Sequence, residues 1–311
     1  MNRLFVRAVV LSILIVAVCG LVVFSYAGGN PPQRFILGSE EHLFYGGYAD
    51  ASVIRLDDGT YLMYLSRNRE TGERHGVFVL SSTDGIRWER ETATVLPDVA
   101  VGRAVRFPGG VRYYYHQPPG RRVNRGSIVS SFSRNGISNW QYEGGRIEPR
   151  PGYAAVGPTI IRLRDGTYRM FFHEAKLGED GKMPRVPEAE IVGASSRDGL
   201  SWQRDTSPSI VSEKAVEGGR VLNARHPFVM PWKDGYLMFY WAHRLIYAAY
   251  SRDGYTWQKL GSTGIHGADP HLIPLGAGRY RIYYGGRCRH KPRCFAYPGP
   301  GVINTVILKI E

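Results

Sequence analysis

From residue 49 onward, short apolar runs alternate with polar breaks that contain glycine, and no stretch after residue 30 keeps a long apolar period of 3.6 residues. The stretch from Ala49 to Arg67 (A-D-A-S-V-I-R-L-D-D-G-T-Y-L-M-Y-L-S-R) reads as two strands joined by a tight Asp-Gly turn. The pattern returns from Val101 to His116, Gly157 to Glu174, His226 to Trp241 and Asp269 to Gly286. Each copy has an apolar run rich in β-branched residues, a turn built on Gly, and then an aromatic run. A third strand follows each pair, at 76–81, 128–132, 191–195, 245–250 and 302–310.

A second signature comes after the third strand. It reads Ser82-Thr83-Asp84-Gly85-Ile86-Arg87-Trp88 and recurs as Ser196 to Trp202 and Ser251 to Trp257, with a looser copy from Ser133 to Trp140. Asp84, Asn135, Asp198 and Asp253 are 51, 63 and 55 residues apart, the size of a four-stranded propeller blade. The Asp-Gly makes the turn between third and fourth strands and the Trp anchors the outer strand between blades, so these acidic residues are structural. The pattern predicts an all-β fold: a five-bladed β-propeller of four-stranded antiparallel blades. No Trp signature follows the last third strand, and closing the ring requires the segment around Arg34 to Leu37 to supply the outer strand of blade five.

Composition agrees with one large all-β domain from 34 to 311, because 43% hydrophobic content supports a core while 20 Tyr and 38 Gly suit short strands and frequent turns. Residues 1–27 stand apart. Arg3 and Arg7 precede an apolar run from Ala8 to Phe24, expected as a hydrophobic helix that enters the membrane through residues 8–26 and is followed by a linker at 28–33. Its length favours an uncleaved anchor, and Ser25-Tyr26-Ala27 offers a cleavage site for the alternative, a signal peptide. Either way the basic flank places the remainder outside the cytoplasm. In that compartment Cys288 and Cys294, bracketing a polar loop, are expected to form a disulfide. A metal site there would need more ligands than His290 supplies.

The five repeats with S-x-D-G-x-x-W resemble the five-bladed propeller superfamily of arabinanases, β-xylosidases, invertases and levansucrases, glycoside hydrolase families 43 and 32. The resemblance covers roughly residues 34–311. It implies an active site at one mouth of the central channel, with an essential Asp at the start of the first innermost strand, matched here by Asp50. The superfamily also carries an Asp at the start of blade three and a Glu near the start of blade four. This chain departs from both, reading Gly157-Pro158 and Arg225-His226-Pro227 at those places.

In an antiparallel pair the end of the second strand lies beside the beginning of the first. The same mouth is therefore expected to hold Asp50, Arg67, Arg103, His116, His173, Glu174, His226, His243, Asp269, His271 and Arg287. Glycoside hydrolysis needs two carboxyl groups flanking the bond. Asp50 as base or nucleophile with Glu174 as acid is the preferred catalytic pair, Asp269 the third carboxylate, and Glu217 the reserve acid. The arginines and histidines named are read as substrate binders. No cofactor and no metal are expected.

The formal charge of +13 is concentrated in the loops that join second to third strands, which hold fourteen Lys and Arg between Arg67 and Arg293. A basic rim concentrates anionic partners, and a basic exported protein beside anionic lipid is the alternative reason for the charge. The expected partner is a carbohydrate, with an acidic or phosphorylated glycan favoured. Nucleic acid is not expected, for want of any binding module, and the chain is expected to be a monomer. The leading reading is an exported or membrane-anchored, glycosidase-like enzyme. Its rivals are a propeller that binds a glycan or anion without catalysis, and a phosphate-dependent glycoside phosphorylase.

Overall fold

The computed structural model of the chain describes residues 31–45, 47–67, 76–90, 95–97, 99–117, 126–184, 188–210, 213–214, 221–286 and 302–311. The segment 1–27, Glu217, Arg287, Cys288 and Cys294 lie outside these residues, as do most of the basic loop positions. Among the described residues no helix is long and apolar enough to cross a membrane, and all the regular structure is strand.

The strands form five antiparallel blades and one separate short pair, Glu213–Lys214 with Val221–Leu222. Counted outward from the channel, blade one comprises Tyr48–Arg55, Tyr61–Arg67, Gly76–Ser82 and Glu89–Arg90, and blade two Ala100–Phe107, Gly110–His116, Ile128–Ser133 and Gln141–Ile147. Blade three comprises Tyr153–Arg162, Tyr168–Lys176, Ala189–Ser196 and Gln203–Ile210, and blade four Arg225–Trp232, Gly235–Ala242, Leu245–Ser251 and Gln258–His266. Blade five runs Ala268–Gly276, Arg279–Gly286 and Val302–Ile310, and its outer strand is Phe35–Tyr45 from the other end of the chain. That strand pairs with Val302–Ile310 from Phe35 opposite Ile310 to Tyr45 opposite Val302, a longer closure than the four residues expected. The ring is complete, each inner strand touching the inner strand of the next blade and the fifth returning to the first.

Five buried apolar clusters each join two neighbouring blades. Strands covered on both faces in this way read as near-continuous apolar runs, which explains the repeat pattern. The Trp signature fastens the blades to one another. Trp88 packs edge-on against Tyr283 of blade five, Trp202 against Tyr114 of blade two, and Trp257 against Phe171 of blade three. A hydroxyl latch accompanies the first two of these joints and also the joint between blades one and two: Tyr283, Tyr114 and Tyr64 donate to the carbonyls of Gly85, Gly199 and Gly136 in the following blade, at 2.7, 2.7 and 2.8 Å. The acidic residue of each signature serves the turn. Asp84 Oδ1 accepts the backbone N–H groups of Ile86 and Arg87, both at 2.8 Å, and Asp198 and Asp253 repeat the pattern.

Candidate active site at the channel mouth

All five inner strands are broken at the same place by a bulge. The register slips between Ala49 and Ser52, Ala100 and Gly102, Val156 and Thr159, Arg225 and Phe228, and Ala268 and His271. At each slip one residue has positive φ: Asp50 (56°), Val101 (52°), Gly157 (63°), His226 (49°) and Asp269 (53°). Left-handed backbone at non-glycine residues is costly and persists where the surroundings impose it. Here three of the five residues are titratable, and the bulges turn the side chains of Asp50, His226 and Asp269 toward a common point.

Asp50, His226 and Asp269 meet there, one carboxylate oxygen of each acid and one ring nitrogen lying within 4.8 Å of one another. Both acids are buried, at 6% and 5% exposure. Burial, with the charge of Asp269 beside it, pushes the Asp50 carboxyl up to about 6. Burial also acts on Asp269, but its interactions with His226, Arg103 and Arg225 outweigh it and hold that carboxyl below its ordinary range. Two acids with proton affinities driven apart are what acid and base roles at one site require. A narrow pocket of about 10 Å³, room for one water, is lined by Asp50, Val101, Gly102, Arg103, Gly157, Pro158 and His226.

The neighbouring residues set this geometry. Arg103, expected to bind substrate, lines the pocket but spends its donors on backbone: Nη1 on the Ala51 carbonyl at 2.6 Å and Nη2 on the Pro270 carbonyl at 2.9 Å. It thereby ties the bulge of blade one to that of blade five. His173 accepts the His226 backbone N–H on Nδ1 at 3.2 Å, and the two rings lie 4.6 Å apart. His116 is held by the Ala155 carbonyl, 2.9 Å from Nδ1. Burial lowers the affinity of both histidines for a proton, His116 to about 4 and His173 well below its ordinary value. They are neutral members of the mouth.

Gly157 explains one of the departures noted in the sequence, because a Cβ there would lie 3.2 Å from His226 Nδ1 and 3.3 Å from His173 Nδ1. Arg225, the other departure, stacks 4.1 Å above the Trp241 ring beside Asp269. Sequence reading assigned no role to Gly157, Arg225 or Trp241. A signal was present, since three of the five bulged residues are followed by proline (Gly157-Pro158, His226-Pro227, Asp269-Pro270).

Three expected residues sit elsewhere. Glu174, chosen as the acid, is fully buried away from the cluster, its carboxylate paired with Arg150 Nε at 2.5 Å and with Arg204 Nη2 at 2.6 Å. Arg204 belongs to the outermost strand of blade three, so the carboxylate expected to act as the acid is engaged on the outer side of the blade. His271 stacks 4.5 Å from Phe228 and meets the Val53 carbonyl at 2.7 Å through Nε2, which makes it a packing residue between blades. His243 is exposed in the two-residue turn with Arg244, both at positive φ. Arg67 lies on its predicted strand, at the position opposite Tyr48.

No protein-family profile matches the chain, and no curated relative does either. Solved structures do share its fold. A thermostable family-43 glycoside hydrolase superposes with a TM-score of 0.61 at 14% identity, over 91% of this chain and 96% of its own. Zg3597, a family 117 glycoside hydrolase of the marine bacterium Zobellia galactanivorans, gives 0.62 at 14% identity, over 89% and 90%. An N-acetylgalactosamine deacetylase from F. plautii, solved with blood group B trisaccharide, gives 0.59 at 14% identity, over 91% and 95%. The chain thus shares the five-bladed propeller fold of these proteins.

Proposed function

We propose that the protein is an exported or membrane-anchored hydrolase of carbohydrate, with its reacting centre at Asp50, His226 and Asp269. One observation carries this reading: two buried carboxylates and an imidazole, each on a left-handed bulge of a different blade, converge beside a pocket sized for one water. Burying two carboxylates within 4.8 Å of each other costs stability, and a purely architectural channel has no need of it. Asp50 borders the pocket and polarises the attacking water, while Asp269 stays ionised beside His226.

Cleavage of a glycosidic bond is the leading reaction, in line with the superfamily resemblance and with the glycoside hydrolases that share the fold. Removal of an acyl group from a sugar is the second. It is favoured by the engagement of Glu174, the expected acid, in ion pairs with Arg150 and Arg204. A structural neighbour is a sugar deacetylase.

The test is incubation of the purified protein with a panel of neutral, acidic and acetylated oligosaccharides, reading new reducing ends and released acetate separately. Release of either product supports the hydrolase. Glycan binding with neither product assigns the protein to the non-catalytic propellers.

A further inference from the structure

The arrangement of donors at the mouth has a second property, unrelated to proton transfer. Asp269 Oδ1 is buried and makes no hydrogen bond, although it lies 2.8 Å from His226 Nδ1. The two atoms are close but misaligned for donor and acceptor. Two atoms that ligate one ion at right angles, with bonds of about 2.0–2.1 Å, stand about 2.9 Å apart in this same side-by-side way. The third donor, from Asp50, completes a set in which the three donor atoms all lie within 4.8 Å of one another. Carboxylate oxygens with one imidazole form a mixed hard and borderline set suited to divalent ions. Arg103 acts on both acids by its charge, and its Nη1 and Nη2 donate to the Ala51 and Pro270 carbonyls. The one-water pocket bordered by Asp50 and His226 leaves room for a further ligand on the open side.

We infer that Asp50, His226 and Asp269 form a binding site for a single divalent cation, open toward the pocket, where a water or a sugar oxygen completes its coordination. This departs from the metal-free site expected from the sequence. It deepens the proposed hydrolase and rests on that reading only for the use made of the ion. His173, which accepts the His226 backbone N–H, positions the imidazole ligand. Three ligands on three different blades would also tie blades one, four and five together at the mouth.

The experiment uses the full-length chain freed of metal with EDTA and dialysed, then titrated separately with manganese, zinc and calcium chloride by calorimetry and thermal unfolding. The expected result is one ion per chain for at least one metal, with a rise in Tm. Binding should weaken at least tenfold in Asp269→Asn and in His226→Gln, and should be unaffected by Asp84→Asn in the first blade's outer turn. Failure of all three ions to bind at one per chain overturns the inference. Equal binding by the wild type and both site variants overturns it as well, since the ion then sits elsewhere. Should one variant fail to fold, the other and the wild-type stoichiometry decide. The sugar panel, run with and without EDTA, separates the two claims. Bound ion without hydrolysis keeps the cation site and removes the hydrolase, whereas EDTA-resistant hydrolysis with no bound ion does the reverse.

Discussion

Replacing Glu174 separates architecture from catalysis. Its carboxylate has no exposure and receives Arg150 Nε at 2.5 Å, Arg204 Nη2 at 2.6 Å and, at 3.4 Å, the Arg150 backbone N–H. Removing one member of a buried ion pair costs about 3–5 kcal/mol, because the remaining charge stays behind without compensation. The two arginines are 36% and 27% exposed, and Arg150 keeps a second partner in Glu190 at 2.8 Å, so part of the penalty is recovered from water and from that pair. The lower end applies, about 3 kcal/mol for Glu174→Ala. Glu174→Gln, which keeps the volume and an acceptor oxygen, should cost less, about 2 kcal/mol. With about 2–4 °C of Tm per kcal/mol for a domain somewhat smaller than this one, the alanine variant should melt about 6–12 °C below wild type. Calorimetry measures this, and kcat/KM taken well below both transitions measures catalysis. The expected outcome is a lowered Tm with catalysis within about threefold of wild type. An unchanged Tm together with a hundredfold fall in kcat would show that Glu174 is the acid and that its arginine pairs are incidental.

Tyr64→Phe removes the hydroxyl that donates to the Gly136 carbonyl at 2.8 Å and leaves that buried acceptor unpaired. Denaturant unfolding should show a loss of about 1–2 kcal/mol with an unchanged slope. Gly157→Ala places a methyl 3.2 Å from His226 Nδ1 at a residue with φ of 63°, so activity should fall at least tenfold through a displaced imidazole, whereas Gly152→Ala, with nothing within 4 Å of its Cβ, should leave activity alone. Kinetics of the two variants on the same substrate provide the check.

Features dictated by neighbours in the chain were legible in the residues. The Asp-Gly turn needs only the carboxylate of Asp84 and the N–H groups two and three residues on, and the Trp positions followed from the same signature. Ring closure was legible for a different reason: four complete repeats and a fifth lacking its outer strand leave an edge that something must cover, and Phe35–Tyr45 covers it. Asp50 was expected at the mouth from the superfamily resemblance, and Asp269 from strand order.

The surroundings of Glu174 were only partly legible in its sequence position. Adjacent residues on a strand face opposite sides, and His173 takes the side of the mouth, which sends Glu174 the other way toward Arg204. That Arg204 waits there, 30 residues further on, is tertiary information with no local trace. The bulges fell between these cases. Slips in strand register are not written in apolar periodicity, but the prolines after Gly157, His226 and Asp269 mark where regular pairing stops.

The central claim is that the mouth of the channel is a hydrolytic centre organised around Asp50. Its most direct test is the rate of product release by Asp50→Asn, on whichever oligosaccharide the wild type cleaves, with circular dichroism confirming the fold. Loss of the group that polarises the attacking water should lower kcat by about 10²–10⁴ while glycan binding persists. A variant that turns over at the wild-type rate would contradict the account.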